Sequence, residues 1–142
     1  MITYNVQITI DRPAAEIFPS LADIAHFPNW MGGSTTQATS DGPMRVGYRY
    51  RYKTDEGDFE MEVTDLEPGR SVSTRTLSGP FDWEGTFRVT DDGDAASRVV
   101  SSGRIGLGGI KRLAEPFMGG EVRSREQAEL ARLKVLVEGS AG

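Results

Sequence analysis

The hydrophobic pattern of this chain changes period once, and that change limits the folds open to it. Between Ser34 and Gly106 apolar residues recur at every second position; after Gly109 they recur every three or four. A period of two sends side chains alternately to the two faces of a sheet, whereas 3.6 gathers them on one helix stripe. Val46, Tyr48, Tyr50 and Tyr52 alternate with Gly47, Arg49, Arg51 and Lys53. Phe59, Met61 and Val63 alternate with Glu60, Glu62 and Thr64, and Phe81, Trp83, Phe87 and Val89 with Asp82, Glu84, Thr86 and Arg88. Each segment has an apolar face and a polar one, as expected of an antiparallel sheet wet on one side. Turn clusters such as Glu67-Pro68-Gly69 and Ser78-Gly79-Pro80 separate them at hairpin intervals. Further strands are expected over 34–40, 71–77 and 98–107.

The two ends complete the plan. Tyr4, Val6, Ile8 and Ile10 mark a first strand, stopped by Asp11-Arg12-Pro13. Proline suits the first turn of a helix, and Asp11 favours that end by capping or charge. Ile17, Phe18, Leu21 and Ile24 then follow at helical spacing, and a second short piece closes at Pro28, just before Trp30. At the far end Leu113, Phe117, Val122, Leu130, Leu133 and Val137 form an apolar face, interrupted early by Pro116 and Gly119-Gly120. This predicts a bent piece from Gly109 and a regular helix over 121–138. Arg125 with Glu129, and Glu126 with Arg132, are expected on its outer surface. Six later strands, one early strand and one long helix leave a single economical packing: a curved seven-stranded sheet wrapped around the terminal helix, with two short helices closing one end. Such an α+β arrangement need not fill completely and can leave a cavity for a small ligand between sheet and helix.

Composition narrows the function. The 142 residues suit one domain over 1–142. Lys and Arg total 16 against 21 Asp and Glu, a net charge of −5 that argues against a nucleic-acid partner. With no cysteine and one histidine, neither a disulfide, a thiolate nucleophile nor a catalytic metal site is expected. No apolar run approaches the roughly 18 residues of a membrane helix and no leader is visible, so a cytoplasmic location is expected. No cofactor is expected. A monomer or homodimer is.

The run Ile10-Asp11-Arg12-Pro13-Ala14-Ala15-Glu16-Ile17-Phe18, then Leu21-Ala22-Asp23 and His26-Phe27-Pro28-Asn29-Trp30, resembles the opening of the START / polyketide-cyclase (SRPBCC) superfamily. Trp83-Glu84-Gly85-Thr86-Phe87 with Ala96-Ser97-Arg98-Val99 resembles its late hairpin, and Glu129-Leu130-Ala131-Arg132-Leu133-Lys134-Val135-Leu136 its terminal helix. The resemblance spans nearly the whole chain and implies a helix-grip fold. It also implies a hydrophobic small-molecule ligand, lipid-like or aromatic and polyketide-like. Cyclase/dehydratase catalysis on such a ligand is the alternative, and a protein-interaction or chaperone-like role the third.

The candidate ligand-binding residues are those expected to face inward: Tyr48, Tyr50, Tyr52, Phe59, Met61, Thr74, Trp83, Phe87 and Ser101. Phe117 and Met118, beside the glycines at the helix entry, are expected to gate the cavity. A buried tyrosine hydroxyl needs a partner, so the tyrosines would order water or a polar ligand group. If the chain is an enzyme, Tyr48, Tyr50, Tyr52 and His26 are its candidates for proton transfer. An unperturbed tyrosine is a feeble base, so catalysis would require a perturbed one or a buried carboxylate. Two strand phases stay open. With Val72 and Val99 inward, Thr74 and Ser101 face the interior; shifted by one residue, Arg75 and Arg104 do. Glu60, Glu62, Asp82 and Glu84 are expected on the wet face, paired with Arg49, Arg51 and Arg88.

Overall fold

The computed structural model describes residues 1–139. In chain order these form β1 (Ile2–Ile10), α1 (Ala14–Ala22), a 3-10 helix (Ile24–Asn29), β2 (Thr35–Ala38), β3 (Arg49–Thr54), β4 (Gly57–Glu67), β5 (Ser71–Ser78), β6 (Asp82–Asp91) and β7 (Ser97–Gly106). A second 3-10 helix (Gly109–Ala114) leads into α2 (Glu115–Gly139). All seven strands join one antiparallel sheet in the order β1-β7-β6-β5-β4-β3-β2. β4 slips register against β5 between Glu60 and Met61 and again between Val63 and Asp65. Such irregularities bend a strand and increase its twist, which helps the sheet curl.

The inner phase is set by burial. Val63, Val72, Val89 and Val99 are buried in the core with Ile10, Leu130 and Leu133. Arg75 and Arg104 therefore lie on the outer face, where Arg75 bonds Glu62 at 3.0 Å and Arg104 bonds Glu84 at 2.9 Å. Glu62 also takes Arg49, as expected, but Arg88 turns to Glu67. Val46 does not share the tyrosine face: it precedes β3 and is exposed.

α2 starts six residues before the position expected from its sequence and runs unbroken through Gly119 and Gly120. Pro116 does not break it, because a first-turn residue needs no intrahelical N–H partner. Pro13, not Asp11, occupies the N-cap position of α1, and no side chain caps that end.

β1 is an edge strand, and α2 covers its open side. Lys134 Nζ donates to the Thr9 carbonyl at 2.8 Å and Gln127 Nε2 to the Gln7 carbonyl at 3.1 Å. Glu138 accepts the Asp11 N–H at 2.9 Å, while its own carbonyl accepts from Arg12. Unpaired edge groups that would otherwise invite another strand are thus occupied by the helix. At the other side Arg132 Nε donates to the Trp30 carbonyl at 2.9 Å, and Trp30 Nε1 donates to the Ser20 carbonyl at 3.1 Å. Among the described residues, no helix is long and apolar enough to cross a membrane.

Leu133 is fully buried where α2 meets the sheet. Leu133→Ala should therefore cost about 2–5 kcal/mol in urea unfolding. Lys134→Ala, at a half-exposed pair, should cost under about 1 kcal/mol. Equal effects would mean that the helix is held by its edge contacts and not by its apolar stripe.

Candidate functional site

Four strands build the inner wall through one row of residues. Tyr4 on β1 faces Gly103 on β7, which faces Gly85 on β6, which faces Thr74 on β5. With no side chain at Gly103 or Gly85, the Tyr4 ring can reach across the sheet; a Cβ on Gly103 would strike both the Tyr4 hydroxyl and the Glu84 carbonyl. Trp83 Nε1–H donates to that hydroxyl at 2.9 Å. Next to this row the wall continues with Ser101 and Phe87, which are paired, and with Met61 opposite Tyr50. Phe27 and Met31, from the segment after α1, close the end. Phe27 meets Tyr50 edge-on with ring centroids 6.0 Å apart, and Trp30 meets Phe87 at 5.3 Å.

Between this wall and α2 lies a hollow of ≈30 Å³, lined by these side chains together with Tyr52, Val72 and Glu129. Tyr52, Trp83 and Glu129 also line an adjoining cleft of ≈100 Å³, with Phe59, Phe81, Glu56 and Arg125. Beyond Phe81, Glu56 and Arg125 an outer groove of ≈270 Å³ continues over Ile105, Leu107, Met118 and Val122. The Arg125–Glu56 ion pair, joining α2 to the β3–β4 turn, therefore stands between cleft and groove. A larger depression of ≈460 Å³ lies on the outer face. It is open to solvent, and its arginines, Arg75 and Arg104, are already paired to Glu62 and Glu84. An enclosed, largely apolar space with few polar groups is the usual form of a small-molecule site, so the inner hollow is the candidate.

Of the side chains expected to meet a ligand, Tyr50, Tyr52, Met61, Thr74, Trp83, Phe87 and Ser101 come together in the hollow. Phe59 lines the cleft and Met118 the outer groove. Tyr48 is buried but lies outside the hollow, stacked near Tyr50 with the Arg45 guanidinium 5.9 Å from its ring centre. Phe117 corrects the expectation of a gate: it is 85% exposed, and Leu113 and Ile110 beside it are exposed as well. On the first turn of α2, Glu115 and Met118 turn toward the end of the sheet, and Phe117 turns to solvent. His26 is 45% exposed, with Nε2 3.8 Å from Asp23, and takes no part in the hollow.

The largest correction concerns α2. Glu126 and Glu129 are not on the outer surface: they are 1% and 7% exposed. Position 126 is four residues from both Val122 and Leu130, and 129 is four before Leu133, so both fall on the buried stripe. That spacing was readable in the sequence; the residue type argued against it, because Glu is rarely buried. Glu126 Oε2 accepts from Ser101 Oγ at 3.4 Å, a long bond, and Oε1 is buried without a hydrogen-bond partner. The nearest cation, Arg125, is 3.9 Å from Oε1. Burial holds the Glu126 carboxyl above the ordinary range. Burial first, then the neighbouring Glu126, pushes Glu129 up to about 8, against the pull of Arg125 and Arg132. Glu129 is thus mostly a neutral acid at pH 7. Burial also drives the phenols of Tyr4, Tyr50 and Tyr52 far above their usual value, so they keep their protons and do not act as bases. Among the described residues no cluster of His, Cys, Asp or Glu is arranged to hold a metal ion.

The helix-gripping sheet defines a class, and sequence comparison supplies the family. Residues 1–138 match the family "Polyketide cyclase / dehydrase and lipid transport", and the chain belongs to it. Solved structures share its fold. The di-domain ARO/CYC BexL from the BE-7585A biosynthetic pathway aligns at 20% identity with a TM-score of 0.79 over 97% of this chain. The present chain spans only 47% of that protein's length. A protein from Thermus thermophilus aligns at 13% identity with a TM-score of 0.82, covering 99% of both chains. One from Geobacillus kaustophilus aligns at 17% identity and 0.77, over 98% of this chain and 97% of that one. At these identities the likeness establishes the fold alone. No curated protein matches the sequence.

Glu129 should leave a mark on stability. Its folded pKa exceeds the ordinary 4.5, so the folded state holds the proton more tightly and stability falls as pH rises from about 4.5 to about 8. Glu129→Gln removes that loss. The variant should melt several degrees above the parent at pH 8, with the difference closing toward pH 4.5. A difference independent of pH would show that Glu129 does not titrate in this window.

Proposed function

We propose that this protein binds a hydrophobic small molecule in the hollow and its adjoining cleft. The observation that carries this reading is the shared lining: Tyr52, Trp83 and Glu129 belong to both spaces, and aromatic rings surround them. Size selects among ligands. Spaces of ≈30 and ≈100 Å³ side by side approach the roughly 150 Å³ engineered cavity that accepts benzene. A ligand about one ring in size fits with small movements of Met31 and Met61, whose side chains adapt readily. A long acyl chain or a multi-ring polyketide would also need the outer groove, and therefore separation of Arg125 from Glu56. The family description, with its cyclases and lipid carriers, is compatible with either size class.

A melting screen with indole, ethylbenzene, naphthalene and decanol tests this. At ten times its Kd a ligand adds about 1.4 kcal/mol, or roughly 4–6 °C for a chain of this length. Single-ring compounds should shift the melt and quench Trp83 emission, measured in a Trp30→Phe background. If no compound shifts the melt up to its solubility, the hollow is packing space only.

One observation favours a second reading, cyclase/dehydratase-like catalysis: a buried carboxyl at Glu129 poised near neutrality beside Tyr52 and Trp83. A group titrating near the working pH is suited to both donating and accepting a proton. On a supplied aromatic polyketide, Glu129→Gln should then lower kcat about 100-fold or more, while Tyr48→Phe, outside the hollow, should not. Equal rates in parent and Glu129→Gln would remove Glu129 from any such chemistry.

A further inference from the structure

The hollow has one acidic side chain on its lining and a second just behind it. Glu129 is the one carboxyl among the residues lining it, and no lysine or arginine shares that wall. Behind it, Glu126 reaches Ser101 on the same wall with one oxygen, and its other oxygen has no hydrogen-bond partner. Arg125 does not fill the gap, because it is engaged with Glu56 and stays 3.9 Å from Glu126. Glu129 shares its lining with Tyr52 and Trp83, whose ring centroids are 6.2 Å apart, with the Tyr4 hydroxyl on the Trp83 indole.

Three kinds of ligand head can be weighed against this wall. A carboxylate would add negative charge beside two buried carboxyls, and like charges in a low-dielectric site repel strongly. A neutral hydrocarbon would offer the Glu129 carboxyl no partner, a standing cost for a buried polar group. An ammonium brings donors and no acceptor, offsets the buried charge, and is attracted to the faces of Trp and Tyr rings. We propose that the hollow and its adjoining cleft together take a small aromatic amine: one ring against Met61, Phe87 and Tyr50, and a protonated amino group beside Glu129 and the rings of Tyr52 and Trp83, the residues the two spaces share. This rests on the hollow being a ligand site, and it adds the charge of the ligand.

Binding exchanges one cation for another. Glu129 gives up its proton to solvent as the ammonium arrives, so uptake releases a proton. The groups that face Glu129 are Glu126, Arg125 and Arg132 on α2, Glu56 from the β3–β4 turn, Tyr52 from β3 and Tyr4 from β1. Glu129 itself, pushed up to about 8, is the group whose charge changes over the range of the test.

Calorimetry on the full chain with phenethylamine, ethylbenzene and 3-phenylpropionate separates the outcomes. Phenethylamine should bind at least tenfold tighter than ethylbenzene, and 3-phenylpropionate weakest. Its affinity should fall about 20-fold from pH 8.5 to pH 6.5, following Glu129, with proton release seen as a buffer-dependent heat. Glu129→Gln and, separately, Glu126→Gln should bring the phenethylamine-to-ethylbenzene ratio close to one. The two variants guard against a fold defect in either, which circular dichroism would reveal. Ethylbenzene binding as tightly as phenethylamine would overturn the amine assignment and leave the hydrophobic site standing. Failure of all three probes would overturn both.

Discussion

One stripe of α2 against the concave face of the sheet is the contact on which the rest depends. Leu130, Leu133 and Val137 supply its apolar half, burying against strands whose inner residues are Val63, Val72, Val89 and Val99. Because the sheet curls, a single straight helix touches it mainly along β1 and β7 and stands away from the middle strands. Tyr50, Tyr52, Trp83 and Phe87 lean into that gap and nearly close it. The hollow is the remainder of this geometric mismatch, and its small volume reflects how far aromatic side chains can fill a curved space.

The same stripe brings two carboxyls into the interior, and this sets the chemistry. An apolar pair at 126 and 129 would pack the helix better, since buried charges without full partners cost several kcal/mol. Ser101 and Arg125 compensate Glu126 only in part, and Glu129 answers by keeping its proton. Interior groups that weaken a fold while lying beside a cavity are the usual sign of a site, because function draws on strained or underpartnered groups. The acidic wall and the aromatic ring cluster together give the hollow a polarity that a simple lipid-carrying space would lack.

Glycine placement shows the same economy on the sheet side. Gly103 and Gly85 are costly inside strands, yet they give Tyr4 a path across the sheet to Trp83. At the boundary with solvent, Arg125 ties α2 to the β3–β4 turn and divides cleft from outer groove. That ion pair opens at modest cost, since its partners are 35% and 47% exposed.

Alternation in β3, β4 and β6, the helical period after Gly109 and the order of elements were enough to define a sheet gripping one helix, because periodicity and connectivity are local properties. They also brought Tyr50, Tyr52, Met61, Trp83 and Phe87 to one face. Burial resolved the phase of β5 and β7, which placed Thr74 and Ser101 inside and Arg75 and Arg104 outside; short runs of Ser, Thr and Gly carry too little hydrophobic contrast to do so alone. Phe117 read as core by its type and is solvent-facing, because Glu115 and Met118 take the side of that turn that meets the sheet. Glu126 and Glu129 read as surface by their type and are interior because the helix stripe passes through them. Residue type reports what a side chain prefers; only the packed structure decides which preference is overruled, and here it overrules two glutamates on one helix stripe.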